Sequence, residues 1–160
     1  MGSNNEIREA KVEDAAEIHA LATELAETVG DAPPTEEAVR ARLEELLEEP
    51  GARVFVAENE VGVVGAVSLW IKPDLAHGDA VIEVPMLVVA EDHRRAGVGK
   101  LLMEEVQNVA ADNGADLIEL VATSANVAAR EFYRSLGFVE ADVVALEFVG
   151  SPEDPPDPDE

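Results

Sequence analysis

Between residues 81 and 112 an apolar run, a glycine-broken basic loop and an amphipathic stretch follow one another directly. Val81 to Val89 is apolar at most positions, which predicts a long strand near the middle of a sheet. Arg94-Arg95-Ala96-Gly97-Val98-Gly99-Lys100 interrupts it. Leu101, Leu102, Val106, Val109 and Ala110 then share one side of a helix running to about Asp112, and Asn113-Gly114 caps its end. A strand from Leu117 to Ala122 follows. Strand, helix and strand in this order require a mixed α/β architecture.

The rest of the chain extends that pattern. Glu6 to Ala10 reads as a short first strand. Ile18, Leu21, Ala22 and Leu25 mark a helix from about Glu13 to Val29, broken by Gly30 to Pro34. Thr35 is a good N-cap for a second helix, with Glu36 and Glu37 in the first turn, and this helix ends near Pro50-Gly51. Arg53 to Glu58 and Val61 to Ile71 form a hairpin about Asn59-Glu60, and Lys72 to Asp79 is a loop. Asn126 to Leu136 predicts a helix and Val143 to Phe148 a last strand. Residues 1–150 read as one domain, and 151–160, all prolines and acids apart from Ser151, as a disordered tail.

Charge narrows the partners. The chain of 160 residues carries 35 acids and 11 bases, a net charge of −24. Phosphate backbones repel such a surface, which excludes nucleic acid as an expected partner. Lys11, Lys72 and Lys100 are the lysines. An acid-rich, lysine-poor surface suits a salty cytoplasm, where screening relieves self-repulsion, and equally an acidic protein of an ordinary cell. The chain has no cysteine, so disulfides and thiolate metal sites are ruled out. It shows neither a signal-peptide pattern nor an apolar run of membrane-spanning length. The expected location is cytoplasmic, no membrane partner is expected, and a homodimer is left open.

The loop concentrates three of the 11 basic residues within seven positions. A strand-to-helix junction offers unpartnered amides and the positive end of a helix dipole, and glycines admit a phosphate close to the backbone. An anion is expected here. A Walker loop would need glycine at Arg94 and Ser or Thr at Leu101, and a dinucleotide fingerprint starting at Gly97 would need Gly or Ala at Leu102. Both fail.

Arg94-x-x-Gly97-x-Gly99 resembles instead the pyrophosphate loop of the GNAT superfamily of N-acetyltransferases. Leu87-Val88-Val89 is similar to the strand end that precedes that loop. Asn126-x-x-Ala129-x-x-Phe132-Tyr133-x-x-x-Gly137-Phe138 resembles the family's second signature. The resemblance covers about residues 6 to 148. It implies a mixed central sheet with splayed strands flanked by helices, with acetyl-CoA as cosubstrate in the gap. It implies further that the Leu87 and Val89 backbone binds pantetheine beside Val88. The amides of Arg95, Ala96, Gly97, Val98, Gly99 and Lys100 would hold the pyrophosphate with the help of Arg94, and Asn126 would contact the cofactor.

Acetyl transfer to an amine needs a base for the ammonium, a donor for the carbonyl oxygen and an acid for the leaving thiolate. Glu83 is the candidate base. Its strand reads as buried, an apolar setting strengthens a carboxylate as a base, and the family often places a glutamate at this distance from Arg94. Tyr133 occupies the slot where the family aims a phenol at the thioester sulfur, and the Val89 N–H or a neighbour is the expected oxyanion donor. Pro85 departs from a regular strand and calls for a bulge, or else a shifted register at Glu83. Trp70 and His93 read as structural, and His19 and His77 as packing or solvated residues. No metal site is expected. A sensor that binds coenzyme A without catalysis, and a transferase of longer acyl groups, remain as alternatives. Asp31, Asp74 and Asp79 lie in segments that frame the acceptor side in the family. They favour a cationic amine, small or protein-borne.

Overall fold

The computed structural model describes residues 4–150. The chain divides into two compact units, Met1–Asn126 and Val127–Glu160. The first is built on a five-stranded sheet in sequential order. β1 (Glu6–Glu9), β2 (Ala52–Asn59), β3 (Gly62–Pro73) and β4 (Ala80–Val89) pair antiparallel. β5 (Leu117–Glu119) joins β4 in parallel. Parallel neighbours need a long crossover, and α3 (Val98–Asp112) supplies it.

The sheet carries helices on both faces. On one, Val54, Val56, Ala66 and Val88 form a core with Ile18 and Leu21 of α1 (Ala15–Val29) and Leu43 of α2 (Glu36–Glu48). Gly30, with φ +79°, closes α1 in the left-handed conformation that glycine adopts freely. Thr35 caps α2, its hydroxyl accepting the Ala38 N–H at 3.1 Å. On the opposite face α3 lies over β3, where a Cβ on Gly65 would stand 3.0 Å from Val98 and 3.1 Å from Leu102.

β4 carries the expected bulge. Ser68 pairs with Met86 and Trp70 with Glu83, so Leu69 of β3 stands opposite two residues, Val84 and Pro85. Pro85 is exposed, and its missing N–H removes nothing from the ladder there. The extra residue reverses the alternation of side chains. Glu83 therefore shares a face with Met86 and Val88, the face of α1 and α2, rather than with Leu87 and Val89.

Two expectations are corrected. The strand foreseen from Leu117 to Ala122 stops at Glu119, because its ladder with β4 ends there. Val143 to Phe148 forms no strand, and Val143, Val144, Leu146 and Phe148 are exposed. Alternation prepares a strand, but its hydrogen bonds need a partner, and the second unit holds no strand among its described residues. That unit consists of α4 (Val127–Ser135) and the segment after it. Gly137, at φ +96°, ends the helix, and Glu140 accepts from Arg130 at 2.8 Å and Arg134 at 3.0 Å. The tail expected at 151–160 lies outside the described residues.

Candidate active site

The ladder between β4 and β5 has three pairs: Val81 with Leu117, Ile82 with Ile118, and Glu83 with Glu119. Beyond Glu83 that edge of β4 has no strand beside it among the described residues. On the other edge the Ala90 N–H donates to Val64 at 2.8 Å. Antiparallel alternation then directs the backbone of Val88 and Met86 toward β3, and that of Leu87 and Val89 toward the open edge. The Val89 carbonyl accepts Arg94 Nε at 3.1 Å there. Val88 itself is buried in the core against α1 and α2.

At the end of this edge the chain passes through a short turn, Glu91–His93, into the glycine loop. Arg95 has φ +66° and Gly97 φ +85°. Arg95 is the one non-glycine residue with positive φ among the described residues, a conformation uncommon for a side chain of its size. At Gly97 a Cβ would meet nothing within 4 Å, so glycine is required there for its backbone angle and not for space. α3 begins at Val98, and its first internal bond runs from Leu101 N to Gly97 O at 3.1 Å. The amides of Val98, Gly99 and Lys100 are left without helical acceptors at the positive end of the dipole. Buried Val98 and Leu102 pin this end of the helix, while Arg94, Arg95, Ala96, Gly97 and Lys100 are exposed. The result is a basic, amide-lined cradle beside an open strand edge.

Glu83 stands at the point where the two strands part. Its side chain is 42% exposed and ion-paired with Lys72 of β3. The buried setting expected for it is therefore corrected: the bulge at Pro85 sets Glu83 on the face it shares with Trp70 and Lys72, where it is ion-paired and partly exposed. Trp70 is its register partner on β3 and Glu119 its partner on β5. Lys72, read from sequence as a loop residue, belongs to β3. Glu119 had no visible signal, because its place beside Glu83 depends on the pairing of strands far apart in sequence.

The remaining candidates are placed as follows. Asn126 closes the first unit, its N–H donating to Thr123 O at 2.9 Å. Tyr133, in α4, stacks edge-on between Phe132 at 5.2 Å and Phe138 at 5.6 Å, and burial pushes its phenol above the ordinary tyrosine value. His77 pairs with Asp74 inside its own loop, which raises the imidazole and lowers the carboxyl. Asp31 and Asp79 are exposed. His19 shares a hydrogen with Pro34 O at 3.0 Å, and His93 Nδ1 is buried without a hydrogen-bond partner among the described residues. A separate concavity of about 690 Å³ is lined by Pro50, Arg53, Ile71, Asp74, Asp79 and Asn113, near the other end of β4. Among the described residues no cluster is arranged to hold a metal ion, and no helix is long and apolar enough to cross a membrane.

Comparison with known proteins adds the following. Residues 50–140 match the family described as acetyltransferase (GNAT) domain. Human N-acetyltransferase 8 is 33% identical over 92 residues, 58% of this chain and 40% of that protein. The chain thus spans well under half the length of that relative. The aminoalkylphosphonate N-acetyltransferase of Salmonella typhimurium is 29% identical over 136 residues, 85% of this chain and 86% of that one. Among solved structures, a transcriptional regulator from Bacillus halodurans superposes with a TM-score of 0.80 at 21% identity, over 90% of this chain and 98% of its own. An aminoglycoside N-acetyltransferase in complex with CoA does so at 0.79 and 22%, over 92% and 95%.

Proposed function

Because the chain belongs to the GNAT acetyltransferase family, we propose that it transfers the acetyl group of acetyl-CoA to a primary amine by direct attack, within one domain spanning residues 1–150. The observation that carries this reading is the open edge of β4 running into the Arg94–Lys100 cradle. The donor set fits coenzyme A. The loop amides and the arginines suit a pyrophosphate, and the outward backbone groups of Leu87 and Val89 suit the amides of a pantetheine arm. Asn126 completes the set of cofactor contacts.

Acetyl-CoA supplies an acyl group already activated as a thioester. Glu83, at the mouth of the gap, accepts a proton from the acceptor's ammonium, so that the free amine attacks. The Val89 N–H or a neighbour on the open edge donates to the carbonyl oxygen as charge develops. Tyr133 gives its phenolic proton to the departing sulfur and is restored by the second proton that the acylated nitrogen loses, and its raised value keeps the phenol protonated through neutral pH. The acceptor is an amine carried by a small molecule or a protein. Two of the similar proteins are named for aminoalkylphosphonates and aminoglycosides, and a cationic acceptor of the second kind suits the acidic frame of Asp31 and Asp79.

The test is release of free thiol from acetyl-CoA over a panel of cationic, neutral and phosphonate-bearing amines. Turnover by the wild type, and a fall of about a hundredfold or more in Glu83→Gln, is the expected result for loss of a general base. Binding of coenzyme A without thiol release on any amine would replace this reading with that of a sensor. Faster release from longer acyl thioesters would identify a transferase of longer chains.

A further inference from the structure

The Lys72 ammonium sits on Glu83 in the position an acceptor's ammonium needs to reach. We infer that Lys72 is the resting counter-ion of the Glu83 carboxylate and sets the charge selectivity of the acceptor site: a cationic acceptor must displace it, and an acceptor carrying an anionic group is met by it. This inference rests on the base role given to Glu83 above.

Three observations carry it. First, Lys72 reaches Glu83 from the side away from the open gap. Its own register partner is Val81, two residues before Glu83 on β4, while the ladder with β5 ends at Glu83 itself. The ammonium thus reaches Glu83 from the β3 side, and an acceptor entering from the gap competes with it for the same carboxylate. Second, the bulge brings both side chains to one face. Lys72 and Trp70 alternate on β3 with Ser68, and Glu83 is turned to that same face by Pro85. Third, Glu83 has a second carboxylate, Glu119, as its lateral neighbour, and adjacent strands lie only about 4.8 Å apart. A second negative charge beside Glu83 adds to its attraction for a cation, and among the described residues Lys72 is the base ion-paired to Glu83. Both partners are about half exposed, so the pair is weak enough to exchange with a ligand.

Chemically, a diamine or amino sugar brings its own ammonium to the two carboxylates and releases Lys72 to solvent. An aminoalkylphosphonate brings an amine for Glu83 and an anion that Lys72 can hold. One lysine therefore shifts preference between the two acceptor classes in opposite directions.

The experiment compares wild type, Lys72→Met and Lys72→Arg with two probes, 1,4-diaminobutane and 2-aminoethylphosphonate, at saturating acetyl-CoA. The readout is KM where a probe is acetylated, Ki where it only competes, and calorimetric Kd where there is no turnover. In Lys72→Met the constant for the diamine falls and that for the phosphonate rises, each by about two- to fivefold, the scale of an exposed ion pair. Selectivity is read as the ratio of the two constants, whatever happens to kcat when the base loses its counter-ion; Lys72→Arg keeps the wild-type ratio, and molar KCl removes the difference. Constants that move in the same direction for both probes, or do not move, overturn the inference. Glu83→Gln separates the two levels. Full turnover in that variant refutes the base role, whereas lost turnover with unchanged selectivity in Lys72→Met refutes the role of Lys72 alone.

Discussion

Gly65 of β3 and Val98, the first residue of α3, pack with no room between them. A Cβ at position 65 would stand 3.0 Å from Val98 Cγ1, 3.1 Å from Leu102 Cδ1 and 3.3 Å from the Val88 carbonyl oxygen. The helix whose amides line the cradle is therefore seated on a bare stretch of strand. Gly65→Ala should lift that end of α3, lowering stability by about 1–3 kcal/mol through overpacking and weakening coenzyme A. Thermal melting and calorimetry measure the two effects. A variant that loses stability but keeps full affinity would show that the loop holds its shape without this contact.

Gly99 lies buried in the first turn of α3. Gly99→Asp places a side chain and a negative charge where the proposed pyrophosphate lies, against the orphan amides. Affinity for coenzyme A should drop by at least about tenfold, the effect of roughly 1.4 kcal/mol. Unchanged calorimetric affinity would remove the anion from this loop.

Tyr133→Phe keeps the stack with Phe132 and Phe138 and removes only the hydroxyl. Turnover should fall with little change in cofactor affinity, the signature of an interaction made in the transition state. The raised phenol fixes a sign as well. Any alkaline loss of rate due to Tyr133 should set in above the ordinary tyrosine value of about 10. A rate lost to its ionisation between pH 8 and about 9 would contradict the buried setting.

Arg8 and Asp14 join β1 to the turn that precedes α1. The guanidinium donates to the two Asp14 oxygens at 2.9 and 2.8 Å, and the Lys11 N–H adds a third bond at 2.7 Å. Asp14 is 5% exposed, and the Arg8 hydrogen bonds hold its carboxyl below the ordinary range. A depressed folded value gives stability that is present above the unfolded value of about 4 and lost as pH falls through the folded one. Asp14→Asn should cost about 1–3 kcal/mol at pH 7. Urea denaturation should show the gap to wild type closing below about pH 4. A gap independent of pH would mean that the cost is steric.

The 35 acids predict a response to salt. Screening should raise the melting temperature between low and molar KCl, since at 1 M the screening length is about 3 Å. A flat or falling temperature would remove the halophilic reading of the surface.

Sequence made legible what is decided locally. The glycine loop, the Thr35 cap and the closure of α1 at Gly30 each depend on a few adjacent residues, and all were expected where they occur. Pro85 signalled an irregularity in the same way, because a missing N–H is visible in the chain itself, but its effect on the register of Glu83 was not legible. The neighbours of Glu83 were not legible. Lys72 and Glu119 reach it through an antiparallel pairing on one side and a parallel pairing on the other, and neither register follows from spacing. The last strand failed for a related reason: the alternation of Val143 to Phe148 describes a face without saying what would pair beside it.

Strands are read two residues at a time, and Pro85 acts on that reading as an inserted base acts on a codon frame. Everything in β4 before it is out of phase with everything after it. The backbone that would grip one reactant and the carboxylate that would meet the other are thereby placed in different frames of a single strand, the first directed to its open edge and the second to the face of α1 and α2. Removing Pro85 would restore the frame and carry the carboxylate to the face of α3, away from Lys72 and Trp70, with every residue of the site still present in the sequence.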